Sequence, residues 1–147
     1  MKHFKNFKTC VYCTAQTLAS LDETTLARDY AYLEKYVGID KVYLETYRDG
    51  TWVAIDHMKM IQNFFKKHGV EIAGGITTVT PPLEKDDVKR QRLFQTFCYS
   101  NEAMRTYLKK IVTYTAELFD EIILDDFFFT SCTCDDCLRA VSYTHLT

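Results

Sequence analysis

The sequence predicts an α/β domain of four strand-and-helix units with parallel strands, forming the first half of a (β/α)8 TIM barrel. The alternative is a small doubly wound sheet. Three observations predict it. Short β-branched and aromatic runs alternate with longer segments whose apolar residues recur at helical spacing. Strands joined through such helices need right-handed crossovers and therefore run parallel. The chain has 147 residues, enough for one domain, whereas a whole barrel needs roughly 250.

Residues 9–15 form the first expected strand. Asp22 or Thr24 then caps a helix in which Leu26, Tyr30, Leu33 and Val37 share a stripe, and Gly38 ends it in the left-handed conformation. Residues 41–47 make the second strand and Asp49-Gly50 a turn. A helix over residues 55–68 carries Met58, Ile61 and Phe65 inward and stops at Gly69. Residues 70–79 are the third strand, broken by Pro81-Pro82. Residues 83–99 are too long and charged for a plain connection and are expected to be a surface excursion with a short helix. Ser100 caps a long helix with Met104, Leu108, Ile111, Thr115 and Leu118 inward, and residues 121–129 are the fourth strand. No Gly-x-Gly-x-x-Gly or Gly-x-x-x-x-Gly-Lys loop occurs, which removes the best evidence for nucleotide binding.

With 47% hydrophobic and 26% charged residues the composition is that of a globular domain. The net charge of -2 argues against nucleic acid or an anionic membrane as partner. No apolar run approaches the ~20 residues of a membrane span. The basic start lacks the apolar segment of a secretory signal, so a cytoplasmic location is expected. Six cysteines then read as reduced thiols or metal ligands and not as a disulfide frame.

In parallel α/β sheets, sites form beyond the carboxyl ends of the strands. The fourth strand ends in Asp125-Asp126 followed by Phe127, Phe128 and Phe129, carboxylates beside aromatics that suit a polar ring with apolar faces. Side chains alternate along a strand, so Asp125, on the face of Ile123, is the expected inward group and Asp126 turns to the rim. The bland alternative is a helix cap or an ion pair with Arg48. At the end of the second strand, Glu45 and Tyr47 share a face in a simple alternation, with Arg48 next. Glu45 is expected in the same mouth as Asp125, or else in an ion pair with Arg48 or Lys41. Tyr12 and Gln16 lie near the end of the first strand and are weaker candidates.

Cys132, Cys134 and Cys137 form C-x-C-x2-C. Three thiols so close reach one ion, and tetrahedral zinc takes four sulfur or imidazole ligands. Cys98 is one source of a fourth. A structural zinc is expected, against the alternative of three reduced thiols filling small spaces. No cofactor is expected for the chemistry itself. Cys10 and Cys13 are expected in the core.

Residues 140–147 break the helical pattern begun at Asp135, and Val-Ser-Tyr-Thr-His-Leu-Thr at 141–147 resembles the translated transposon end used in preparing sequencing libraries. The expected organisation is a truncated barrel domain over residues 1–139 and a non-native tail over 140–147.

Four segments carry a family resemblance: KYVGIDKVYLE at residues 35–45, FCYSN at 97–101, FDEIILDDF at 119–127, and the C-x-C-x2-C-Leu run ending at Leu138. Together they resemble the amino-terminal half of bacterial TIM-barrel glycoside-hydrolase-like proteins. The resemblance implies a carbohydrate substrate and a catalytic role for Asp125 or Asp126, since a strand-4 carboxylate is nucleophile or acid in several such families. Substrate binding is then expected of the strand-end residues Glu45, Tyr47, Arg48, Tyr12 and Phe127. The Asn-Glu dipeptide of the largest barrel clan is absent here. Glycoside hydrolysis needs two carboxyl groups, and the second would come from a later strand, so these residues alone are expected to be inactive. Two alternatives stand beside this: a non-catalytic carbohydrate-binding or self-associating domain, and a zinc-dependent hydrolase built on the cysteines.

Overall fold

The computed structural model describes residues 4–79, 96–125 and 132–144, with side chains described as far as residue 140. Its elements are β1 (Cys10–Cys13), α1 (Ala15–Ser20), α2 (Glu23–Tyr36), β2 (Lys41–Arg48), β3 (Thr51–Trp52), α3 (Ile55–Lys67), β4 (Glu71–Ile76), α4 (Glu102–Ala116), β5 (Ile122–Leu124) and α5 (Asp135–Thr144). The main strands lie in the order β1-β2-β4-β5, each parallel to its neighbour. Each is therefore beside the next main strand in the chain, with no reversal. A doubly wound sheet reverses its order at a switch point, so the described strands have the order of a barrel wall or of one side of a doubly wound sheet.

Local chemistry sets most boundaries. Asp22 caps α2 by accepting from the Thr25 backbone N–H, while the Thr25 hydroxyl accepts from the Asp22 N–H, closing a reciprocal box at the first turn. Gly38 and Gly69 follow α2 and α3 with φ of 70° and 72°. Asn101 caps α4 through its side chain to the Met104 N–H, so the cap lies one residue beyond the expected Ser100. The sequence also missed the short helix α1 and the strand β3. Asp49 and Gly50 both have positive φ, 51° and 81°, which is the two-residue hairpin geometry that matches strand twist. It folds Thr51 and Trp52 back onto Arg48 and Tyr47. Helix α5 runs on to Thr144, so the expected break at Ala140 is corrected.

The core lies between the sheet and the helices. Val42 and Leu44 meet Leu18 of α1, Leu26 of α2, and Met58, Ile61 and Phe65 of α3. A second cluster gathers Tyr47, Ile76, Phe97 and Ile111 under α4. Gly74 is required there, because a Cβ would come within 2.8 Å of both Phe119 and Thr115 side chains. Among the described residues, β5 is an edge. Ile123 and Leu124 are exposed, and an apolar groove lined by Ile76, Leu108, Val112, Ile122 and Leu124 runs between β5 and α4. The expected excursion falls largely on residues 80–95, outside the described set, but it returns to the core: Val79 bridges Thr96, and Thr96, Phe97 and Cys98 are buried. Cys13 packs against the core as expected, whereas Cys10 is exposed.

Candidate active site and thiol cluster

One hydrogen-bonded cluster joins the carboxyl ends of all four parallel strands. Its centre is Glu45 on β2, which is fully buried. Four groups donate to its carboxylate: the Tyr12 hydroxyl at 2.8 Å, the Ala15 backbone N–H at 2.7 Å, the Arg48 Nε at 3.0 and 2.9 Å to the two oxygens, and the Thr77 hydroxyl. A buried carboxylate is costly unless it is paired and hydrogen-bonded, and this one is both. The Arg48 Nη2 continues to Asp125 Oδ2 at 2.9 Å, and the Thr77 hydroxyl lies 3.2 Å from the same oxygen. Arg48 and Thr77 thus tie the buried carboxylate to a second one that is 26% exposed.

Each position has a local cause. The Asp-Gly hairpin fixes the backbone of Arg48 at the end of β2, where its Nε folds back three residues onto Glu45. Asp125 follows Leu124 and donates its N–H to the Ile76 carbonyl, so alternation turns its side chain to the face of Ile123 and away from α4. Glu45 is registered opposite Gly75, where a Cβ would lie 2.8 Å from the Tyr12 hydroxyl. Glycine there makes room for the Tyr12 ring.

Burial, followed by the charge of Glu45, raises the Tyr12 phenol well above its ordinary range. Burial alone would lower the Arg48 guanidinium, but the hydrogen bonds and charge of Glu45 more than offset it and raise it further.

The structure brings Tyr12, Glu45, Arg48 and Asp125 together, and both ion-pair alternatives weighed for Arg48 occur. Glu45 is fully buried beneath Arg48, in the ion pair weighed as its alternative. One placement is corrected. Tyr47 does not share the Glu45 face. The β2–β4 register shifts between Glu45 and Tyr47, so both Thr46 and Tyr47 turn toward α4. The Thr46 hydroxyl meets that of Thr115 at 2.6 Å. Tyr47 is fully buried against Ile111, its ring edge-on to Trp52 and Tyr107. Its hydroxyl donates to the Val79 carbonyl and accepts from the Gly50 N–H. Asp126 and Phe127 lie outside the described residues. Sequence reasoning missed Thr77, whose signal was a polar residue ending an apolar strand, and the Ala15 N–H at the start of α1. Gln16 reaches only the Arg48 carbonyl, at 3.4 Å.

The family match adds the decisive observation. A family model described as "Probable glycosyl hydrolase, catalytic domain" matches residues 1–145. The chain belongs to this family. A relative from Saccharolobus solfataricus, named as an uncharacterized protein, is 35% identical over 130 residues, covering 87% of this chain and 21% of the relative. The chain therefore spans about a fifth of that relative's length. No solved structure matches it.

A second cluster gathers four cysteines. The Sγ atoms of Cys98, Cys132, Cys134 and Cys137 all lie within 4.8 Å of one another, and none of these cysteines is in a disulfide. Cys98 sits just before α4, held by Phe97 in the core and by its own N–H, which donates to the Met104 sulfur at 3.2 Å. Cys134 precedes α5, and Cys137 lies in the first turn of α5. Burial, and then the neighbouring sulfurs, push the Cys98 thiol up to about 12, while the Cys137 backbone N–H brings Cys134 down to about 7. Among the described residues, no helix is long and apolar enough to cross a membrane.

Proposed function

We propose that these residues form part of a glycoside-hydrolysing site in which Asp125 is the carboxylate presented to the sugar. The observation that carries this reading is the pairing of Arg48 and Thr77 with Asp125 at the carboxyl ends of parallel strands, the sheet edge where such folds place their chemistry. An aspartate held by a guanidinium, with a hydroxyl beside it, has a fixed orientation, which suits a nucleophile or a stabiliser of positive charge developing at the anomeric carbon. Glu45 acts through Arg48 as a positioning residue, and Tyr12 closes its flank. Asp126, next in sequence, is the alternative carboxylate for that same role, and Phe127 is the proposed platform for an apolar sugar face.

The other carboxyl group that hydrolysis requires comes from a longer protein carrying this domain, so the 147 residues alone give no turnover. The test is hydrolysis of a panel of 4-nitrophenyl glycosides by that longer protein. Asp125→Asn lowers kcat by about 1,000-fold or more with the fold retained by circular dichroism. Turnover within tenfold of the unaltered protein, or turnover by the isolated domain, overturns the reading.

The exposed groove between β5 and α4 favours a second reading, in which copies of the domain cover it by self-association. Sedimentation equilibrium separates the two: a monomer at every concentration removes self-association.

A further inference from the structure

We infer that Cys98, Cys132, Cys134 and Cys137 form a closed, four-thiolate zinc site that fastens α5 to the entry of α4. The first argument is the sulfur spacing. Tetrahedral zinc with Zn–S near 2.3 Å sets its ligand sulfurs about 3.8 Å apart. Cys98 Sγ lies 3.8 Å from that of Cys134 and 3.5 Å from that of Cys137, and all four sulfurs fall within 4.8 Å. A disulfide would need about 2.05 Å and would pair thiols two by two, whereas here four converge on one point.

The second argument is what holds α5. Of residues 135–140 only Cys137 is buried, and Leu138 is 57% exposed. Among the described residues, the buried set to which Cys137 belongs is completed by Cys98 and Cys132, with Met104 and Cys134 packed against it. Among the described residues the apolar burial of α5 is carried by these thiols, which are small and bury little area. A metal bridging them ties α5 directly to the stretch before α4.

The third argument is the choice of ligands. They come from two places far apart in the chain, Cys98 from the core-anchored stretch before α4 and the others from a compact C-x-C-x2-C. All four are sulfur, which marks a closed structural site and not a catalytic one with an open water position. This site needs neither a sugar nor Asp125, so it stands independently of the proposed hydrolysis. It also removes the zinc-hydrolase alternative.

The test uses the 147-residue chain purified under reducing conditions, with metal content by plasma mass spectrometry and titration with cobalt(II) alone. The expected result is one zinc per chain, an intense tetrahedral cobalt–thiolate spectrum, and a loss of affinity of at least about 100-fold in Cys98→Ser and in Cys134→Ser. Cys10→Ser, an exposed thiol outside the cluster, keeps full stoichiometry. Should the cluster variants fail to fold, zinc-edge X-ray absorption of the unaltered chain reads the same point. Four sulfur neighbours at about 2.3 Å support the site. A mixed sulfur and nitrogen or oxygen shell, bound iron in place of zinc, or a chain that binds no zinc after reconstitution overturns it.

Discussion

Arg48 and Asp125 are 77 residues apart in sequence and joined by a 2.9 Å ion pair that reaches over β4 from β2 to β5. The same guanidinium binds both oxygens of the sealed Glu45 carboxylate. It thus links a buried charge, the hairpin that follows β2 and the partly open Asp125.

Removing that guanidinium leaves Glu45 buried with no cation. Arg48→Ala should destabilise the domain by about 2–3 kcal/mol, below the usual cost of breaking a fully buried pair because Arg48 retains some solvent contact. Neutralising the orphan should recover part of it: Arg48→Ala with Glu45→Gln is expected to unfold at higher urea than Arg48→Ala alone. An additive pair of losses in the double-mutant cycle would show that the two groups are not coupled.

Gly75 and Tyr12 occupy the same space on the site face of the sheet. Gly75→Ala places a methyl group 2.8 Å from the Tyr12 hydroxyl and 3.0 Å from its ring, and should cost about 1–3 kcal/mol. In a Tyr12→Ala background the cost should fall to roughly half or less, measured by urea denaturation. An unchanged cost would place the strain elsewhere.

Tyr47 is a structural tyrosine, and its variants should behave accordingly. Tyr47→Phe deprives the Val79 carbonyl and the Gly50 N–H of their shared partner and should lower stability by about 1–2 kcal/mol. In the longer protein, KM for any glycoside that is turned over should stay within twofold, a bound set by fully buried placement. A large rise in KM would return Tyr47 to the ligand-binding set.

Tyr12 gives a stability signature at high pH. Its folded pKa lies above the ordinary value of 10.0, so the folded chain holds this proton more tightly than the unfolded chain does. That contribution is fully present below about pH 10 and is lost as pH rises from there toward the folded value. Urea midpoints from pH 9 to 11 should therefore decline, and Tyr12→Phe should decline less steeply, by the slope of one proton. Equal slopes in the two proteins would mean that Tyr12 titrates alike in both states.

Much of the fold is written locally. The stripe of Leu26, Tyr30 and Leu33 with the Asp22 cap specifies α2, Met58, Ile61 and Phe65 specify α3, and Asp49-Gly50 specifies a hairpin. Alternation along β5 was enough to turn Asp125 to the Ile123 face. These features depend on residues a few positions apart, and periodicity and backbone preference report them directly.

What the tertiary structure decided depends on neighbours distant in the chain. Simple alternation puts Tyr47 beside Glu45, but pairing with β4 shifts the register after Glu45, and Tyr47 packs beneath α4. No local signal encodes that bulge, because it follows from how two strands and a helix fit together. In the same way, Arg48 was recognisable as a possible partner of either Glu45 or Asp125, and only the sheet order lets it serve both. The C-x-C-x2-C spacing announced three thiols close together by itself. Cys98 joins them because burial of Phe97 against Tyr47, Ile76 and Ile111 carries its neighbour to the thiols, a consequence of packing that spacing along a chain cannot express.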